Sequence, residues 1–184
     1  MSLIKRGWAS IRKNAHAILA VCAFAVSICA LYVSVVEIRN NQEFQRISVW
    51  PRLWVAKSAT NKRFQIHVIN QGLGPAIIRS VRVTIDGERF HTWSDMKEKL
   101  GLASDTPSSH STLSTRVLEN GRDVTIMEIW DDEGRAAFHK AFESGRMLIE
   151  VTYSSVYGEC WISSSDMTTR QIDSCPEERN PGFL

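Results

Sequence analysis

The sequence predicts a mainly β domain, a two-sheet sandwich or a small barrel of about seven strands with two short helices, preceded by one transmembrane α-helix. Three observations lead there: an uncharged apolar run close to the N-terminus, period-2 alternation of apolar residues through most of the remaining chain, and turns rich in Gly, Asn and Asp between the alternating runs. A chain of 184 residues, 43% of them hydrophobic, has room for one ordinary domain with its own core and an appendage.

The apolar run comes first. From Ala15 to Val36 no side chain is charged, and 22 helical residues at 1.5 Å each reach roughly 33 Å, enough for a hydrocarbon core of about 30 Å. A cleavable secretory signal would have an apolar stretch of about 7–15 residues ending in small residues. Ala23-Phe24-Ala25 offers such an end, but strong apolar sequence continues past it, so the expectation is an uncleaved anchor. The chain then divides into a basic segment over residues 1–14, a transmembrane helix over 15–36, a juxtamembrane helical linker over 37–47 and a soluble β-rich domain over 48–184.

Charge sets the orientation. Lys5, Arg6, Arg12 and Lys13 precede the apolar run and no acidic residue does, which favours a cytoplasmic N-terminus and an exported C-terminal domain. The expected location is a bacterial inner membrane with the domain in the periplasm or outside the cell. Trp8, among those four basic residues, fits an interfacial anchor at headgroup level. The 22 basic residues less these four leave 18 against 20 acidic ones, so the domain has no electrostatic footprint for nucleic acid.

Within the run, Ala20, Ala23, Ser27, Ala30 and Ser34 recur at alternating intervals of three and four, which puts small side chains on one helix face. Small faces let helices approach closely in lipid. Besides the bilayer itself, the expected partner is therefore a second copy of the chain, or another protein's helix, met through this stripe.

Beyond the membrane, Glu37 to Arg46 holds no Gly or Pro and continues the helix until Pro51 stops it. Leu53 and Val55, then Phe64, Ile66 and Val68, then Val81, Val83 and Ile85 alternate with polar neighbours as half-buried strands do. Further strands are expected at Thr112 to Leu118, Val124 to Trp130, Met147 to Ser154 and Cys160 to Ser164. Asp86-Gly87 is a hairpin signal and Asn70-Gln-Gly-Leu-Gly-Pro75 a turn. Thr92-Trp-Ser-Asp95 resembles a capping box ahead of a short helix, and Asp131-Asp-Glu133 an acidic start to a second, which Gly145 ends. Trp93, Trp130 and Trp161 are expected in the core, and Trp50 and Trp54 divide between core and rim, with a membrane-surface or ligand patch as the rival reading.

The strand, Asn-x-Gly-x-Gly-Pro turn, strand and Asp-Gly turn of residues 64–88 resemble immunoglobulin-like (CARDB-like) bacterial β-sandwiches. That resemblance implies a binding or spacer module and no enzyme. Cys160 and Cys175, separated by polar sequence, fit a disulfide in an oxidising compartment, against two free thiols in a cytosolic domain.

Signals for chemistry are absent. His16, His67, His91, His110 and His139 have no metal-ligand spacing, and Ser109-His110-Ser111 places a hydroxyl beside an imidazole without a nucleophile elbow, which reads as polar loop. No phosphate-binding glycine loop occurs. The expectation is no cofactor, no metal and no catalytic residue: a membrane-anchored binding or adaptor domain. Its alternatives are an oligomerising membrane effector or channel accessory whose β domain senses a ligand, and an anchored enzyme.

Overall fold

The computed structural model describes residues 2–113 and 116–176, with side chains from residue 15 onward. The chain separates into two compact units, Met1–Gln45 and Arg46–Leu184. The first is part of α1 (Ser2–Ser48), a single continuous helix. Its Ala15–Ser48 stretch is long and apolar enough to cross a membrane, with a mean hydropathy of 2.5 over its most apolar window.

The second unit is mainly β. Its strands are β1 (Leu53–Ala59), β2 (Phe64–Asn70), β3 (Ala76–Ile85), β4 (Glu88–Phe90), β5 (Ser108–His110), β6 (Val117–Leu118), β7 (Asp123–Ile129), β8 (Met147–Ser154), β9 (Cys160–Ser164) and β10 (Thr169–Ile172), with helices α2 (Trp93–Lys99) and α3 (Asp132–Glu143). They form two antiparallel sheets: β1-β2-β7-β5, and β10-β9-β8-β3-β4 with β6 beside the start of β3. Alternation decides the faces. Phe64, Ile66 and Val68 of one sheet and Val83, Ile149 and Val151 of the other are all buried in one core, which Phe138 of α3 joins. Each such side chain removed from water contributes about 1.5–3 kcal/mol.

Helix starts obey the capping chemistry. The Thr92 hydroxyl accepts from Asp95 N–H at 3.2 Å, and the Asp131 carboxylate accepts from Gly134 N–H at 2.8 Å. The Asp86-Gly87 turn has φ of 53° and 80°, the left-handed pair that a two-residue hairpin requires.

Several expectations are corrected. The mainly β class stands, with ten strands among the described residues where the sequence predicts about seven. Of the strand expected from Thr112 to Leu118, the described residues show only β6, Val117 and Leu118, paired with Ile77 and Ala76, and Ser114 and Thr115 lie outside the described residues. Ser109 and His110 lie in a strand, β5, paired with Glu128 and Met127, rather than in a loop. Trp130 is exposed, because Ile129 before it faces inward and alternation sends its neighbour out. Trp50 and Trp54 are both exposed, so neither fills the core.

Candidate functional site

β1 is an edge strand, and its hydrogen-bonding direction can be read from its neighbours. Gln71 N–H donates to Arg52 C=O at 2.8 Å on the β2 side, whereas Leu53 N–H points the other way and donates to the Tyr153 hydroxyl at 3.4 Å. Main-chain groups alternate along an antiparallel strand. Trp54, Ala56 and Ser58 therefore bond to β2, while the N–H and C=O groups of Val55, Lys57 and Ala59 point out of the sheet.

Two hollows lie along that edge. One, about 390 Å³, is floored by four successive β1 residues, Trp54 to Lys57, and walled by Phe142 and Glu143 of α3 and by Ser165 and Met167. The other, about 290 Å³, continues toward the start of β1 through Arg52, Leu53 and Gln71, with Ser164 and Thr169 opposite. They meet at Trp54 and Met167, which line both. Lys57 pairs with Glu143 and sits 5.5 Å from the centre of the Phe142 ring, so the walls of the larger hollow carry apolar, aromatic and charged groups together.

Met167 is the most exposed large apolar residue among the described residues of the domain, at 81%, and its φ of 68° lies in the left-handed region that an unbranched apolar side chain rarely takes. Its turn is held around it. Met167 N–H donates to Ser164 C=O at 3.1 Å, Ser164 N–H to Thr168 C=O at 2.9 Å, and both the N–H and hydroxyl of Thr168 donate to Asp166. Those bonds hold the Asp166 carboxyl below the usual carboxylate range. The turn thus holds an exposed methionine in a left-handed backbone conformation beside both hollows. Burial pushes the Tyr153 phenol up, partly offset by its bonds to Ser163 and Leu53, so the hydroxyl stays neutral while it pins β1 to β8.

The start of β1 is fixed by the 70–75 turn. Asn70 Nδ2 donates to Gly74 C=O and Leu118 C=O, while its Oδ1 accepts from Arg52 and Gly72 N–H. A Cβ on Gly72 would lie 2.2 Å from Arg52 N and one on Gly74 1.8 Å from Val49 O. These glycines are there for close approach: the turn grips residues 49–52, where the chain enters the domain. Neither the grip nor the edge is visible to sequence reading, since both are made by residues distant in the chain.

Of the predicted site residues, Cys160 and Cys175 form a disulfide, with Cα atoms 5.4 Å apart. Ala20, Ala23, Ser27, Ala30 and Ser34 are exposed along α1, and the Ser27 hydroxyl is bonded within the helix to Ala23 C=O at 2.8 Å. The candidates Trp8, Lys5, Arg6, Arg12 and Lys13 lie where side chains are outside the described residues. Among described residues, no group of three or more His, Cys, Asp or Glu is placed to hold a metal ion. His67 meets Asp123 at 3.0 Å and Thr125 at 3.4 Å, but both on Nδ1, whereas a nucleophile relay needs the carboxylate and hydroxyl on opposite ring nitrogens. The chain matches no protein-family model and no curated protein sequence.

Proposed function

We propose that this is a membrane-anchored, non-catalytic binding module that takes an extended segment of a partner protein along the open edge of β1. One observation carries the reading: β1 is a seven-residue edge strand, five of whose residues, Leu53 to Lys57, line a trough that passes the exposed Trp54 and Met167, whereas the outermost strands β4, β5 and β10 span three or four residues each. Strand addition uses such an edge, with main-chain bonds giving affinity and alternate side chains entering pockets for specificity. The trough fits that chemistry, since its two hollows lie on either side of Trp54.

The same proposal puts the domain on the outer face of a bacterial inner membrane with the N-terminus in the cytoplasm. Support comes from the four basic residues before the apolar run and from the Cys160–Cys175 bond, which belongs to oxidising compartments. Immunoglobulin-like kinship remains part of it, supported by the two antiparallel sheets around one core.

A photo-crosslinking residue at Met167 tests the reading in intact membranes. It is expected to give a discrete protein adduct, and Lys57→Pro, which deletes one outward N–H without touching the β2 ladder, is expected to abolish it while the domain stays folded. An adduct indifferent to Lys57→Pro, or none at all, counts against strand addition.

A further inference from the structure

We infer that the end of the domain where the chain enters rests in the interfacial layer of the bilayer that holds its own anchor. The inference depends on the anchoring proposed above and is independent of the β1 trough.

Topology gathers that end. β1 begins there at Leu53, β2 ends at Asn70, β3 begins at Ala76, β8 ends at Ser154 and β9 begins at Cys160. Register ties the loops together: Ile77 lies between Val117 of β6 and Ser154 of β8, and Leu73 N–H donates to Trp50 C=O at 2.9 Å. Past α1, eight large apolar side chains are exposed among the described residues. Five of them, Trp50, Leu73, Val117, Val156 and Tyr157, sit on this one end. Two more, Trp54 and Met167, line the trough, which leaves Trp130 alone elsewhere. Scattered apolar residues need no explanation, but five on four separate segments at one end do.

The chemistry of the cluster is interfacial. Trp and Tyr prefer headgroup level, and long arginine side chains beside them reach phosphates. Arg52, Arg79, Arg116 and Arg122 are exposed on the same loops and strand ends. The tether is short as well. Twelve helical residues from 37 to 48 extend about 18 Å, of which the headgroup layer takes about 6 Å. The entry end thus starts no more than about 12 Å beyond the headgroup layer, so reaching that layer requires this stretch of helix to lean strongly toward the surface.

The test uses the full chain in liposomes of zwitterionic and anionic phospholipid, with Cys22 and Cys29 replaced by Ala and one nitroxide at Leu73→Cys or, for comparison, at Lys62→Cys in the opposite loop. Carbonate extraction comes first: a chain released by it has no anchor, and both readings fall. In a chain that stays, the label at 73 should be more accessible to oxygen than to a water-soluble nickel chelate, by several-fold relative to 62. Val156→Asp with Tyr157→Asp should erase the difference. Equal nickel access at both sites overturns the inference with the anchor intact. A label at 73 shielded from both reagents indicates a protein there, and overturns it too.

Discussion

β1 and β10 are both edge strands of one domain, one in each sheet, and they are finished in opposite ways. β10 is four residues long, mostly exposed and polar, closed by a hairpin to β9, and followed by Cys175, whose disulfide returns the chain to the start of β9. β1 is seven residues long and lies beside two hollows. Proteins commonly blunt edges by shortening, charging or covering them, because an open ladder invites another strand. Of these two edges, β10 alone received this treatment, and the proposed use of the β1 edge rests on that contrast.

The largest expected effect strikes what holds β1 in place. Gly74→Val drives a side chain into the Val49 carbonyl, where even a Cβ would lie at 1.8 Å, and is expected to cost about 4 kcal/mol, measured by chemical denaturation. A loss of under half that size would show the 70–75 turn yielding and β1 less firmly set. The disulfide comes next. Cys160→Ser opens a link across 15 residues and should cost about 3 kcal/mol, most visibly as faster proteolysis after residue 164, where β10 begins to fray; unchanged stability under oxidising conditions would deny that the β10 edge is sealed by it.

A pair of matched substitutions separates the two sides of β1. Ala56→Pro removes an N–H that bonds β2 and should cost about 2 kcal/mol. Ala59→Pro removes one that points outward and should change stability by less than about 0.5 kcal/mol. Equal losses would mean that the outward groups are engaged within the domain.

The smallest effect is at the Asp86–Arg146 pair, on a fully exposed hairpin away from either edge. Two hydrogen bonds from Arg146 hold the Asp86 carboxyl below its ordinary value. A carboxylate lowered in the folded state adds stability above its ordinary pKa of about 3.9 and loses it as pH falls through the lower folded value. Asp86→Asn, which keeps the left-handed turn, should therefore lower the melting temperature slightly at pH 7 and not at all near pH 2. A difference that persists in acid would assign it to the turn instead.

How much of the molecule is legible in its sequence depends on where each signal resides. The apolar run, the alternation at 64–68 and 81–85, the Asp-Gly hairpin and both helix caps are local chemistry, and the sequence carries them. β4 and β10 escape sequence reading because three or four mostly polar residues have no period of their own and pair only when a longer strand is at hand. Residue type alone puts Trp130 in the core, though its position beside inward-facing Ile129 already forbids that. Lys97 is buried with its ammonium on Ser104 C=O and Thr106 C=O, and Asn70 organises four main-chain groups. Neither a buried lysine nor an asparagine hub leaves a trace in composition. The β1 trough is least legible of all, since its walls come from residues 142–143 and 164–169.

Residue-resolved hydrogen exchange of the full chain in micelles addresses the open edge most directly. The amides of Trp54, Ala56 and Ser58 should be strongly protected, Leu53 partly so through Tyr153, and Val55, Lys57 and Ala59 should exchange far faster than their immediate neighbours. Uniform protection along β1 would mean that its edge is already satisfied, and would contradict the account.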